Sequence, residues 1–457
     1  MGRFQTIDRQ KEHQFPAIIN EWIPENHQAR FIVEAVDKLN LSKITQQYKG
    51  SGTLPYNPKM MLSLLIYSYS IGVFSSRQIE QATYESIPTR FITANDHPDH
   101  STIAEFRRRF HKEFEDIFVQ VLELAHEMKL LKLGQVSVDG TKLHANASRH
   151  SALSYGHIEK LKKQFQQEVE QLMEKAKNAE QHKIPEDMNV LDEIQLREER
   201  IALMEKAQRK IERRAEERYQ REKAEYERKM MKRLLKEKES GKKSKRKLPE
   251  APESTPRDKD QINLTDEESR IMKCSGGAFE QCYNAQAAVD TDSYLIVSAH
   301  VTQAANDKQQ VAPMLEELRT LPERLGAVNS ALMDAGYFSE ENVELCEKIG
   351  IEPYIAVGRE SHHLDVMSRF TEPDKLPDDA STSQKMRHKL KTKKGRAIYS
   401  LRKSTVEPVF GIIKSVMGFR QFSLRSLEKV NGEWDLVCLS WNLKRMAKLC
   451  QRTVFCG

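Results

Sequence analysis

No run of apolar residues in this 457-residue sequence approaches the roughly 18 needed to cross a bilayer. The opening MGRFQTIDRQKEHQF has no apolar core of a signal peptide, and Arg3 after Gly2 argues against lipidation there. No membrane partner is expected. Cysteine is sparse: Cys274, Cys282, Cys346, Cys438, Cys450 and Cys456, with no Cys-x-x-Cys pair. That usage argues against a disulfide framework and reads as reduced thiols in a bacterial cytoplasm. Zinc binding by Cys274 and Cys282 with neighbouring histidines is the minor alternative. What the chain does have is charge. Charged residues make up 31% against 39% hydrophobic, which suits a soluble protein with a highly charged segment. The net charge of +6 is a mild bias toward polyanions and decides nothing alone.

Residues 1–130 pattern as helices. Ala29 to Leu39 has helical spacing, and Pro58 starts a stronger pattern through Met60, Met61, Leu64, Leu65, Tyr67 and Tyr69, closed by Gly72. Ser75-Ser76 is expected to cap a helix over Arg77 to Tyr84, with Pro88 ending it. Thr102-Ile-Ala-Glu105 reads as a capping box. The helix it opens carries Arg107, Arg108, Arg109 and Lys112, with Phe106, Phe110 and Phe114 on the other face. Short helices with a basic last member suggest a helix-turn-helix-like DNA-binding unit; a plain bundle with a solvated basic face fits equally well.

From Gln135 the period becomes two. Strands are expected at Val136 to Val138, Tyr283 to Val289, Leu295 to Val301, Leu332-Met333 and Tyr354 to Val357. Helices are expected at Lys308 to Leu318, at Glu340 to Lys348 and from about Glu407. This order fits one mixed α/β sheet. Residues 155–270 interrupt it. Ile158, Leu161, Phe165, Val169, Leu172 and Ala176 form one helical seam, and a longer charged helix follows to about Glu239, so a helical hairpin is expected. Its polar tail, with the Lys242 to Lys247 cluster, reads as a disordered linker before it reads as a phosphate contact. The basic run Lys385 to Arg396 reads as a flexible segment placed to hold a DNA backbone.

Three short stretches put a carboxylate beside an apolar run: Val-Ser-Val-Asp139-Gly, Ala-Leu-Met-Asp334-Ala-Gly-Tyr and Val-Glu407-Pro-Val-Phe-Gly. Phosphodiester cleavage needs an activated water and charge relief at phosphorus, and two Mg²⁺ about 3.5–4 Å apart on carboxylates supply both. Each acid also has a bland reading. Asp139-Gly140 and Asp334-Ala-Gly336 fit turns, and Glu407-Pro408 fits a helix start favoured by the macrodipole. Only their order within one α/β domain makes them a site.

The same stretches carry a family resemblance that covers nearly the whole chain. YNPKMMLSLLIYSYSIGVFSSRQIEQ, DHSTIAEFRRRF, VSVDGTKLHANAS, YNAQAAVD, ALMDAGYFS and VEPVFGIIKSVMGFRQFSLRS together resemble the DDE transposases of bacterial insertion sequences, in the long-chain IS5-like and IS4-like group. The resemblance implies an α/β, RNase H-like mixed sheet with flanking helices, an all-α N-terminal domain and an inserted helical hairpin. The domains would be 1–130 for DNA binding, 131–154 with 271–457 for catalysis, and 155–270 for the insertion. It implies Asp139, Asp334 and Glu407 as catalytic and metal-binding residues, two Mg²⁺ with Mn²⁺ able to substitute, and a cytoplasmic, nucleoid-associated protein. The partners would be inverted-repeat ends and target DNA, bound by a homodimer or larger assembly. Around the Glu, Tyr399, Arg402 or Lys403, and Lys414 would contact DNA. Arg402 sits one residue farther from Glu407 than the family spacing, where Lys403 stands, and Lys414 is two helical turns past Glu407. Arg107, Arg108 and Arg109 are the N-terminal DNA-contact candidates. Asp307 competes as a metal ligand, with capping of the next helix the preferred reading. Two rival readings are a DNA-binding protein that has lost catalysis, which the intact acids oppose, and a coiled-coil scaffold, which leaves the α/β part idle.

Overall fold

The computed structural model describes residues 17–48, 54–177, 189–241, 248–274, 276–358, 371–377 and 379–455. The Lys242 to Lys247 cluster therefore lies outside the described residues. One-turn helices aside, the chain runs α1 (Gln28–Asp37), α2 (Pro58–Ser70), α3 (Ser76–Glu85), α4 (Ile87–Ile92), α5 (His100–Arg109), α6 (Glu113–Glu127), β1 (Gln135–His144) and β2 (Ala152–Ser154). Next come α7 (Tyr155–Lys177), α8 (Val190–Ser240), β3 (Gln261–Asn263), β4 (Arg270–Lys273), β5 (Phe279–Asp290), β6 (Ile296–Thr302) and α9 (Val311–Thr320). The remainder is β7 (Ser330–Met333), α10 (Glu340–Lys348), β8 (Glu352–Ile355), α11 (Thr382–Lys391), α12 (Lys393–Gly411) and α13 (Leu427–Phe455). Two compact units result: Met1–Asn146 with Met272–Gly457, and Ala147–Ile271.

In the first unit the strand order is β4-β5-β1-β7-β8, with β6 also on β5. β5 runs antiparallel to β1, β6 antiparallel to β5, and β7 and β8 parallel to β1. This mixed sheet with flanking helices is the RNase H-like arrangement. Two Asp residues meet because of register. Val138 lies beside Met333 in the parallel β1–β7 pair, so the next residues, Asp139 inside β1 and Asp334 just past the end of β7, stand at the same level. The crevice beyond the carboxyl ends of parallel strands is where such sheets place ligands.

α13 has apolar residues on most of its surface, and burial explains why. Trp434, Leu436, Val437, Leu439, Leu443 and Met446 are all fully buried, against α1, α2, α6 and β6. Asn442 imitates a strand partner: its side chain accepts from the Ile296 N–H and donates to the Ile296 carbonyl, both at 2.8 Å. The N-terminal helices thus share a core with the sheet through the last helix of the chain.

Several local signals act differently from their sequence reading. Asp99, not Thr102, caps α5: its carboxylate accepts from Thr102 N–H at 2.9 Å, because the helix begins a turn earlier. Ser75 takes the N-cap position of α3 without a side-chain cap bond, and Pro88 sits in the first turn of α4, where its missing N–H costs nothing. The basic run Lys385 to Arg396 is helical. Ser381 and Gln384 form a capping box on α11, and Thr392 caps α12 by accepting from Gly395 N–H at 2.9 Å.

The second unit is the expected hairpin. Tyr155 bonds Glu212, Lys162 bonds Gln208 and Arg197 bonds Glu168, so α7 and α8 run antiparallel. Ile158, Met204, Ala207, Ile211 and Ile262 form its small core. β2 and β3 pair antiparallel at its base, with Ala152 opposite Asn263. Arg218 grips Asp260 through two 2.8 Å bonds, tying the middle of α8 to the returning chain.

Candidate active site

Glu407 stands on α12, which packs across β1, β5 and β7. It does not open that helix. α12 starts at Lys393, and Pro408 lies inside it. The apolar pattern after Glu407 is the buried side of an existing helix, where Val406, Val409 and Phe410 face the sheet.

Arg402 is the hub. Its guanidinium donates to Asp139 Oδ2 at 3.3 Å and to Glu407 Oε1 at 2.7 Å. It is 9% exposed, whereas Lys403 is on the exposed face of α12. The family spacing favours the lysine, but the helix turns it outward and the longer arginine covers the extra residue. Tyr399, one turn earlier, donates its hydroxyl to the Met333 carbonyl at 3.2 Å and so abuts the residue before Asp334.

Asp139 is strongly perturbed. Burial pushes its carboxyl up to about 6; the Arg402 guanidinium and the Gly140 N–H pull the other way, and Asp334 and Asp307 add to the rise. The Gly140 N–H reaches Asp139 Oδ1 at 2.8 Å. Asp334 accepts from Gly336 N–H, also at 2.8 Å, which fixes its carboxylate at the mouth of the turn.

Lys414 is not on the α-helical face of Glu407. The chain passes into a π turn over Ile412–Val416, which shifts the register, and Lys414 Nζ donates to the Lys142 carbonyl at 3.2 Å. Burial pulls its ammonium pKa down.

A polar layer on the reverse face of the sheet was missed by sequence reasoning. Opposed residues in an antiparallel pair share a face, so Gly140 and Gln286, and Lys142 and Asn284, lie opposite to the face of Asp139 and Ala287. Asp307 accepts from Asn284 Nδ2 and Gln286 Nε2, both at 2.7 Å, and lies 3.5 Å from Lys142 Nζ. Its side chain makes no helix cap, so the capping reading is corrected: buried donors on β5 take it instead. Tyr337 donates to Gln286 Oε1 beneath the acids, and burial followed by Asp307, Asp139 and Asp334 drives its pKa well above the usual value. A signal existed. Asn284 and Gln286 alternate within a β5 segment that is otherwise buried and mostly apolar, and both are fully buried.

Gly140 makes room for that layer. A Cβ there would lie 2.1 Å from Gln286 Nε2, 2.7 Å from Asp307 Oδ1 and 2.9 Å from Asn284 Oδ1. Gly140→Ala is expected to lower the unfolding free energy by about 1–3 kcal/mol, the usual cost of overpacking, and the denaturant midpoint with it. Denaturant titration checks this, and an unchanged midpoint would refute the tight packing.

The N-terminal arginines divide. Arg107 is buried, donating to Tyr69 Oη at 2.7 Å and the Phe74 carbonyl at 3.0 Å, 3.9 Å from Glu433. This corrects its assignment as a DNA contact: the guanidinium is consumed inside the fold. Arg109 lies over the rings of Tyr48 and Phe110, each at 5.1 Å, and donates to the Gln47 carbonyl. Arg108 pairs with Glu105 on the surface and is 62% exposed, the most available of the three.

Among the described residues no helix is long and apolar enough to cross a membrane. No curated protein and no solved structure matches the chain. Two family models do. A transposase domain (DUF772) matches residues 17–109, which takes in α1 to α5. A transposase DDE domain matches residues 249–443, which includes Asp307, Asp334, Arg402, Glu407 and Lys414 but stops short of β1 and Asp139. With a transposase domain on the helices and another on the sheet that joins them, the chain belongs to the DDE transposases of insertion sequences.

Proposed function

We propose that this transposase cleaves DNA at the ends of its element and joins the freed ends to target DNA, with Asp139, Asp334 and Glu407 as the metal-holding residues. The observation that carries the reading is the link Asp139–Arg402–Glu407, which ties β1 to α12, with Asp334 brought alongside by the β1–β7 register. The donor set fits Mg²⁺ or Mn²⁺: Asp139 and Glu407 share one guanidinium, Asp334 acts on the same guanidinium through its charge, and Asp139 is half-buried with that imbalance. Divalent ions held there supply an activated water and charge relief on the transferring phosphoryl group.

The chain's own residues do the rest. Arg402 keeps Asp139 and Glu407 aligned in the metal-free protein and can turn its guanidinium to a phosphate when their charge is otherwise met. Tyr399 holds α12 against the end of β7, beside Asp334. The helices of 17–109, with Arg108 exposed, bind the inverted-repeat ends. Two ends must be paired for transfer, so the working form is a dimer or larger.

Arg402→Ala is expected to slow end cleavage about 100-fold or more, the usual scale for removing a charged donor from such a site. Lys403→Ala is expected to leave the rate within about twofold, as for a solvated side chain. Cleavage and strand transfer with end-containing duplexes and Mg²⁺ test both. Equal effects of the two substitutions would remove Arg402 from the site, and end binding without any cleavage by the native protein would favour a DNA-binding role alone.

A further inference from the structure

Away from the acids, three potential soft ligands converge. Cys274 Sγ and Cys282 Sγ are 3.3 Å apart, and His144 brings a ring nitrogen so that all three ligand atoms lie within 4.8 Å of one another. Among the described residues this is the one group of three histidine, cysteine or carboxylate ligands so close together. The backbone fixes all three. His144 is directly opposite Cys282 in the β1–β5 register, so both side chains leave the same face. Cys274 is returned to them by a tight turn, its N–H donating to the Ala278 carbonyl at 2.8 Å and its carbonyl accepting from Gly277 N–H at 2.9 Å.

We propose that His144, Cys274 and Cys282 bind one zinc ion, with the fourth position taken by water. The ligand types are those that zinc selects, and Zn–S bonds of about 2.3 Å at tetrahedral angles put two sulfurs about 3.8 Å apart, close to the spacing seen. Binding removes one proton from each thiol and leaves histidine neutral, so Zn²⁺ and two thiolates give a site without net charge, and two protons go to solvent. Cys282 is fully buried and Cys274 half-buried, so the two sulfurs would hold the ion largely out of solvent, with the water on its open side.

The location gives the ion a role. His144 N–H donates to the Arg420 carbonyl at 3.0 Å, and the His144 carbonyl accepts from Phe422 N–H at 2.9 Å. The ion thus pins the end of β1 and the start of β5 where the segment after the Glu407 helix crosses them, close to Lys414. It is separate from the acidic site and does not depend on the Mg²⁺ reading.

The test is cobalt substitution of the full-length protein under reducing conditions. A thiolate-to-cobalt charge-transfer absorption is expected at one equivalent of Co²⁺ per chain, displaced by one equivalent of Zn²⁺. Carboxylate-bound cobalt gives no such band, so the acidic site cannot imitate it. Cys274→Ser is expected to abolish the band and Cys450→Ser to keep it. Absence of the band in the native protein with its thiols titrating as free would overturn the proposal. So would its persistence in Cys274→Ser, or recovery of two thiols only after reduction, which would mean a Cys274–Cys282 disulfide instead.

Discussion

Asp139→Asn is expected to abolish Mg²⁺-dependent cleavage of DNA ends while making the metal-free protein more stable at pH 8. The two effects share one cause. Burial raises the carboxyl from 3.8 to about 6, so the folded state holds this charge less readily than the unfolded chain does. A raised pKa favours the folded state fully below about pH 4, and that contribution is lost as pH rises through about 6. At pH 8 the native protein therefore carries the whole cost, of order 3 kcal/mol at about 1.4 kcal/mol per pKa unit. The asparagine variant does not. Thermal melts in chelator are expected to show the variant a few degrees higher at pH 8, with the gap roughly halved at pH 5 and closed below about pH 4. End binding should persist. Retained cleavage would remove Asp139 from the reaction, and a lower melting temperature at pH 8 would show that Arg402 pairing outweighs burial.

Arg107→Ala is expected to cost about 3–5 kcal/mol of stability, the range for removing one partner of a buried charge pair. Glu433 is fully buried and is held from three directions. Its carboxylate accepts from the Ser423 and Leu424 N–H groups at 2.8 and 2.9 Å and from Tyr69 Oη at 3.2 Å, with Arg107 3.9 Å away. Without the guanidinium, a full negative charge stays in the core of the first unit. Arg108→Ala, at the surface beside Glu105, should change stability by under about 0.5 kcal/mol. Urea midpoints separate the two. If Arg107→Ala kept the native midpoint and lost only DNA affinity, the arginine would belong to an interface and not to the core.

The sheet was readable from sequence because its strands are short apolar runs broken by turns, and β1, β5, β6, β7 and β8 lie at or near the expected segments. The N-terminal helices were likewise visible through spacing, whereas their caps were not. A capping box at Thr102 and a cap at Asp99 differ by one turn, and both satisfy the same local chemistry. The start of α12 was hidden for a related reason. Lys393 to Lys403 has few apolar residues, since most of that stretch faces solvent, so the helix became legible only where it meets the sheet. The choice between Arg402 and Lys403 and the rotation of Lys414 by a π turn depend on exact helical phase, which spacing does not supply. Asp307 was misassigned because its partners, Asn284 and Gln286, are on a strand more than 20 residues away.

The ribbon at the foot of the helical hairpin has a consequence for how such chains diversify. Because Ala152 and Asn263 lie directly opposite each other in the antiparallel pair, the hairpin's two ends emerge at almost one point. Whatever lies between them is a cassette with a fixed footprint. Its length and surface can be exchanged while Asp139 and the strands around it keep their pairing, since little loop-closure entropy changes when a long excursion starts and finishes at a closed ribbon. The sheet and the appended arm are free to evolve at different rates.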